Sequence, residues 1–519
     1  MHDLSIPKKW IVLRSERSIY CIYFSVGTFR NFLSPIRFFA GVALSLLCLE
    51  KQAALCGRRD IVRRISYITS LLLGVAISLV LVVIYWEAAI WHANHVNRNL
   101  RNVDQSAYMA LTRRIHHMIK GHPDMNPRNP EKPLPVTSDG NRTSIYPFIQ
   151  IISISENDQE FFRRGKYVNI GLSLALLIAL FFIFRKFFHL FPSITLILIT
   201  GFTVFLSKAP YFQADILSYF LAFCGFLLIA CLLQKPCWKL AAGTGATLAL
   251  GYLTKATTLP MFTLCICFLL FAGIISAVCG RKQINNHRHR HRWFISCATV
   301  VVAFIVVLAP HLIENKQTYG RFIYNVNYFY IWMDSWAEVK ARGPHAYGDS
   351  IGWPQMPAKQ IPTLSKYLRE HTAWQIQQRF VKDVRVAWRN AMDTPWLKFV
   401  MLYIFFAVTL GIAGTRVTVE YVKGHAITVL FVATYLPILF ILIIWVISNA
   451  NGGGNRHTLQ LFLPLMFSLF IFLSSPNISR IRAFHIPAVT AFHAVMLIIL
   501  CRDIYLIATH HLLNRFAGA

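Results

Sequence analysis

Asp104 and Tyr108, four positions apart in Asn102-Val-Asp-Gln-Ser-Ala-Tyr-Met-Ala, would share one face of a helix just beyond a strongly apolar segment. A carboxylate so placed can meet a lipid-borne substrate at a membrane interface. The plainer alternative is a helix start, because Asp caps well and an acidic first turn suits the helix macrodipole. Arg142 and the Tyr146-Pro147 pair follow in the same polar stretch, within Gly140-Asn-Arg-Thr-Ser-Ile-Tyr-Pro-Phe. Further basic candidates stand at the ends of apolar runs: Lys208, Lys255 and Arg456. The two lysines also fit snorkelling anchors, and Arg456 also fits a residue that merely flanks a span in a glycine-rich turn. Asp215 opens another apolar run, where a charge is costly unless it is paired or functional. It is suited to bind a divalent cation, to orient an acceptor or to pair with Lys208. No metal site is assigned among these residues.

What has to position them is a membrane. Hydrophobic residues make up 55% of the 519 and charged ones only 14%, more apolar material than a water-soluble core can hide. The formal charge of +30 would suggest nucleic-acid binding in a soluble protein. Here Lys and Arg gather between the apolar runs, at Lys8-Lys9, Arg58-Arg59, Arg63-Arg64, Arg185-Lys186, Arg281-Lys282 and Arg480 to Arg482, where they orient spans by the positive-inside rule. Nucleic acid is therefore set aside as a partner. Cys48, Cys224, Cys231, Cys265, Cys267 and Cys501 sit in or beside apolar runs without metal-ligand spacing, and read as small buried hydrophobes.

The fold expected is an all-α polytopic membrane protein. Eleven segments approach the roughly 20 apolar residues that a span needs. They are 66–90, 167–184, 190–207, 215–233, 238–254, 258–279, 293–312, 396–414, 424–447, 457–474 and 484–508. Residues 1–65 read as a basic cytoplasmic extension without the apolar core of a cleavable signal. With that end inside, the odd count puts the C-terminus outside. Two long polar segments then face outward: a first outer loop, 91–166, within a membrane module of residues 66–312, and a large outer loop, 313–395, before the C-terminal helices of 396–519. Amphipathic patterns at Ser106 to Ile119 and Ile376 to Trp388 predict helices along the membrane surface, the first followed by the proline-rich Pro123 to Pro135. The run Asn286-His-Arg-His-Arg-His-Arg reads as a solvated basic linker, His116-His117 as surface residues, and Asn141-Arg-Thr as a glycosylation acceptor pattern.

The order of Asp104, then Arg142 with Tyr146-Pro147, then Phe161-Phe162 and a span resembles the first outer loop of the GT-C superfamily of membrane glycosyltransferases. The closest likeness is to its family 39 group, which includes protein O-mannosyltransferases and lipid A aminoarabinose transferases. Ser207-Lys-Ala-Pro-Tyr-Phe-Gln-Ala-Asp215 is similar to a short outer loop in which that family commonly carries an acidic residue. Leu248-Ala-Leu-Gly-Tyr-Leu-Thr-Lys255 looks like its Gly-Leu-Thr-Lys stretch, and Gly452-Gly-Gly-Asn-Arg456-His-Thr resembles its outward loop with an Arg-Tyr pair, His457 standing where Tyr is usual. The resemblance covers about residues 66 to 475. The outer loop of 313–395, with Trp332, Trp336 and Gly352-Trp-Pro-Gln-Met-Pro, carries no assigned motif. In the superfamily such a loop typically covers the active site.

The resemblance implies an inverting enzyme of the plasma membrane. It would take a sugar from a polyprenyl-phosphate donor and pass it to a lipid, glycan or protein acceptor on the outer side, among the membrane lipids that surround it. Asp104 would be the base that takes the acceptor's proton. Arg142, Lys255 and Arg456, with Lys208 beside them, would contact the phosphate; Tyr108, Tyr146 and Asp215 would complete the substrate site. No cofactor beyond a divalent cation at Asp215 comes into view. A transporter or flippase for a lipid-linked or anionic substrate would also place charges at span ends, although no internal repeat of the transporter kind is evident. A non-catalytic assembly subunit is a third reading.

Overall fold

The computed structural model describes residues 79–100, 103–126, 129–279, 287–342, 361–392, 394–450, 456–479, 482–483 and 486–509. The basic extension of 1–65, the first part of the span expected at 66–90 and the Gly352-Trp-Pro stretch lie outside them. The chain divides into two compact units, Met1–Ile84 and Tyr85–Ala519. Of the first, residues 79–84 are described and are helical. Everything below concerns the second.

That unit begins with α1 (85–95), then α2 (Val103–Ile119), a short hairpin pairing Met125–Asn126 with Asn129–Pro133, and the single-turn α3 (Ile145–Gln150). The membrane helices follow: α4 (Asp158–Phe187), α5 (Leu190–Ile199, continued through a π-helical turn at Thr200–Phe205 to Lys208), α6 (Asp215–Gln234), α7 (Trp238–Thr254), α8 (Leu259–Cys279) and α9 (His287–Tyr319). After a segment of short helices comes α10 (Ala373–Met392). The chain then closes with α11 (Trp396–Ala413), α12 (Thr415–Gly424), α13 (Ala426–Ala450), α14 (Phe462–Leu473) and α15 (Ala488–Ala508).

Eight of the described helices are long and apolar enough to cross a bilayer, so the chain is an all-α multi-pass membrane protein. They fall on eight of the eleven expected segments. Of the other three, 66–90 is only partly described, 238–254 is the 17-residue α7 and 457–474 is the shorter helix Thr458–Leu473. Small residues account for α7. Ala241, Gly245 and Ala249 recur every fourth position and let its backbone approach α9 closely, as small residues do between membrane helices. A β-carbon on Gly245 would stand 2.3 Å from the Val300 carbonyl oxygen.

Local chemistry sets several boundaries. The Asn157 side chain accepts from the backbone N–H groups of Gln159 and Glu160, and Asp158 and Glu160 occupy the first turn of α4 while Arg185 and Lys186 occupy its last, so cap and charges favour the same polarity. The start of α10 is a reciprocal cap: Thr372 Oγ1 accepts from the Gln375 N–H at 3.3 Å while Gln375 Oε1 accepts from the Thr372 N–H at 2.8 Å. The amphipathic helices expected over 106–119 and 376–388 are present as α2 and α10. The histidine–arginine run departs from the linker reading, since residues from His287 onward form the first turns of α9.

The loops are tied to the bundle by a few bonds. Glu314 near the end of α9 accepts from the N–H groups of Val136 and Thr137 at 2.9 and 2.7 Å. Val326 N–H donates to the Gly140 carbonyl at 2.8 Å, and the Asn325 amide donates to the Asn141 carbonyl at 3.0 Å. Asn141, read from the sequence as a glycosylation acceptor, accepts at its own side chain from Asn327 at 2.5 Å and acts as an internal clamp. Beneath these ties Phe212 is fully buried, edge-on to Tyr146 and Phe161 in a cluster that also holds Tyr108, Met109 and Phe162.

Gly165 of α4 is what admits the Phe212 ring, because a β-carbon there would lie 2.0 Å from it. Gly165→Ala should lower the thermal midpoint by the equivalent of about 1–3 kcal/mol of overpacking. Gly171→Ala on the same helix, where a β-carbon meets nothing within 4 Å, should leave the midpoint unchanged or raise it slightly. Equal effects of the two substitutions would show that the Phe212 contact does not matter.

Candidate active site

Asp104 lies in the first turn of α2, and its carboxylate reaches two arginines. Oδ1 accepts from Arg142 Nη2 at 2.7 Å, and Oδ2 takes a short hydrogen bond from Arg456 Nη1. The three side chains are only 27%, 11% and 18% exposed, in the order Asp104, Arg142, Arg456.

Three pieces of local structure deliver them. The start of α2 is fixed by Gln105, which exchanges amide hydrogen bonds with Asn97 at 2.9 and 3.0 Å and accepts from the Phe212 N–H at 2.8 Å. Asn97 in turn donates to the Pro210 carbonyl, so α2 is bound to the loop that leads into α6. Arg142 is presented by a tight turn in which Gly140 sits at φ +85°, a left-handed value that glycine adopts without strain. Asp139 Oδ1 accepts from the N–H groups of Asn141 and Arg142, and its Oδ2 meets Arg142 Nη1 at 3.2 Å. Arg456 precedes the 3-10 turn Thr458–Leu461. Its carbonyl takes a short hydrogen bond from the Tyr219 hydroxyl of α6, and its Nε donates to His457 Nε2 at 3.3 Å.

A second ion pair stands beside the first. Lys255, at the end of α7, reaches Asp215 Oδ1 at 2.6 Å. Pairing is one of three roles open to Asp215, with Lys208 a candidate for it; the ion pair the structure shows is with Lys255. Its Oδ2 is buried with no hydrogen-bond partner among the described residues. Lys208, only 2% exposed, does not snorkel to the surface; it ends α5 after the buried π-helical turn and lies over the Tyr211 ring at 5.2 Å. Lys208 and Asp215 lie within electrostatic reach of Arg456 and Lys255. Tyr108 faces the cluster with its ring 5.7 Å from the Arg142 guanidinium. Tyr146 stands behind it, edge-on to Tyr108, and its hydroxyl accepts from Gln150 at 2.9 Å, so it forms the wall of the site.

Burial works to raise the Asp104 pKa, but the charges and hydrogen bonds of Arg456 and Arg142 override it and hold the carboxyl well below the usual carboxylate range. The same contacts raise Arg142 and Arg456 against the opposing effect of their burial. Burial first, then the charges of Arg456 and Lys255, push His457 well below the ordinary imidazole value, so it is neutral at pH 7.

The residues expected from the sequence thus converge, Asp104, Arg142, Arg456 and Tyr108 in direct contact and Asp215, Lys255 and Lys208 beside them. Asp139, Asn97, Gln105 and Tyr219 were not anticipated. Asp139 had a readable signal in Ser-Asp-Gly-Asn-Arg, a turn sequence with an acid three residues before a base; the others carry none. Among the described residues no group of three or more His, Cys, Asp and Glu converges as a metal site would require. The arrangement suits an anion: two guanidinium groups and two ammonium groups, only partly neutralised, in a site poor in water. Comparison with protein-family models, with curated proteins and with solved structures finds no match to this chain.

The depressed Asp104 pKa fixes a pH dependence of stability. A carboxyl whose folded value lies below its unfolded value of about 3.9 contributes fully above that value and loses the contribution as pH falls through the folded one. Asp104→Asn should therefore cost about 2–4 kcal/mol near pH 7, where it leaves two guanidinium groups unbalanced. The gap to the wild type should narrow as pH falls below about 4 and close as pH passes through the depressed folded value. Denaturant or thermal unfolding in detergent across that range measures it, and a gap independent of pH would show that the carboxylate charge is not what Asp104 supplies.

Proposed function

We propose that this protein is an inverting glycosyltransferase of the GT-C kind, moving a sugar from a polyprenyl-phosphate donor to an acceptor on the outer side of a plasma membrane, with the N-terminus inside. The observation that carries the reading is the carboxylate held between two arginines, with a second acid–base pair beside it. Arg142, Arg456 and Lys255 are each paired with Asp104, Asp139 or Asp215, and the buried Lys208 lies beside them as a fourth basic group. A polyprenyl-phosphate sugar is a phosphodiester with one negative charge, which these basic groups can meet.

A carboxylate with a guanidinium on each oxygen is a poor base. The donor phosphate removes that obstacle, because it competes for the same guanidinium groups with more acceptor oxygens. As Arg142 and Arg456 turn to the phosphate, Asp104 regains ordinary basicity and an open oxygen. The acceptor hydroxyl then attacks the anomeric carbon from the face opposite the phosphate while its proton passes to Asp104. The carbon–oxygen bond to phosphorus breaks, and polyprenyl phosphate leaves with the electron pair and a second negative charge, which the arginines and Lys255 stabilise. The free Oδ2 of Asp215 is placed to accept from a sugar or acceptor hydroxyl. The segment after α9, bound to the Arg142 turn through Asn325 and Asn327, forms the roof of the site and contacts the acceptor.

Incubation of the purified protein with a panel of polyprenyl-phosphate sugars and crude envelope acceptors should release polyprenyl phosphate in a donor-dependent way. Asp104→Asn should lower that release, counted per folded molecule, by about 10³-fold or more. Near-normal turnover by Asp104→Asn overturns the role of the base, and no release from any donor overturns the transferase reading.

A further inference from the structure

A second charged recess borders the aromatic cluster through Phe162. It is a cleft of about 480 Å³ between the end of α1 and the start of α4. Its charged lining is Arg98, Glu160, Arg163 and Lys166, three positive charges against one negative, with Phe162 as an apolar floor. The Lys166 ammonium is drawn in by the Ala93 and Asn97 carbonyls, at 2.5 and 3.0 Å, and stands 4.5 Å from the Phe162 ring centre. Two of its three N–H donors are thus committed to the end of α1. Among the described residues Arg98 spends only Nε, on the Asn94 carbonyl at 2.8 Å. Arg163 gives Nε and Nη2 to Glu160, which also pairs with Arg164. The cleft keeps two surplus positive charges and unspent guanidinium donors.

Its height along α4 identifies the source of the missing anion. No Asp, Glu, Lys or Arg occurs from Val168 to Phe184, and Arg185-Lys186 follow at once. Seventeen residues rise about 26 Å, close to the thickness of bilayer hydrocarbon. Arg163 and Lys166 therefore stand in one headgroup layer and Arg185-Lys186 in the other. Farther down α4, Ile178 and Phe182 are exposed, as lipid-facing side chains are. We infer that the cleft of Arg98, Arg163 and Lys166 binds the phosphate of an anionic phospholipid headgroup, whose acyl chains run down the apolar surface of α4.

The test compares the full chain in discs of phosphatidylcholine with discs that also contain phosphatidylglycerol. Phosphatidylglycerol should raise the thermal midpoint of the wild type, and native mass spectrometry should show it retained after release from detergent. The double variant Arg98→Gln/Arg163→Gln, both exposed positions, should lose most of the shift and the retained lipid. Arg164→Gln removes the same kind of charge outside the cleft and should keep both. The mass-spectrometric readout decides the matter if the double variant is itself less stable. A wild type indifferent to phosphatidylglycerol, equal losses in the double variant and Arg164→Gln, or an equal shift from inorganic phosphate in phosphatidylcholine discs would each overturn the inference.

Discussion

One carboxylate with a guanidinium on each oxygen ties three distant stretches of this chain to a single point. Asp104 opens α2, Arg142 sits in a glycine turn 38 residues later, and Arg456 arrives from 352 residues away. Ionised groups removed from water are tolerated only when their charge and lone pairs are met by partners. None of the three can be withdrawn without stranding the others. The neighbouring parts inherit that constraint: Gln105 and Asn97 hold the start of α2, Asp139 holds the turn, and the Tyr219 hydroxyl holds the Arg456 backbone.

The scaffold around this point is built for close approach. Gly165 admits Phe212, whose ring packs edge-on against Tyr146 and Phe161, and the small face of α7 lets α9 bring Glu314 to the loop that ends in Arg142. The aromatic wall of Tyr108, Tyr146, Phe161 and Phe212 excludes water and lowers the local dielectric, which strengthens every charge contact inside. A charged recess borders the same cluster through Phe162. The module thus carries two clusters of positive charge, a shielded one around Asp104 and an open one at the start of α4.

Much of this architecture was legible in the amino-acid order because membranes impose crude rules. Apolar length predicts α4, α6, α8, α9, α11 and α13, and helical periodicity predicts α2 and α10 nearly to their ends. Asp104, Arg142 and Arg456 stand out because charges beside apolar runs are expensive and therefore few. Partner choice was not legible. Asp215 lies seven residues from Lys208 and forty from Lys255, yet pairs with Lys255, since helix packing and not sequence distance decides which ammonium arrives. Gln105, Asn97 and Tyr219 are ordinary polar residues whose roles exist only once α1, α2 and α6 are side by side. The alanines and glycines of α7 carry a second message that apolar length does not show: they form a surface for another helix.

The span of chain between Asp104 and Arg456 also sets an order of events during synthesis. At about 5–20 residues per second, roughly 20 to 70 seconds separate the emergence of the two. Through that interval Arg142 is already at hand for Asp104, and the tie from Tyr219 to Arg456 has yet to form. A chain stalled before Arg456 emerges leaves the second Asp104 oxygen without that guanidinium and α2 without its bond to the C-terminal part of the chain.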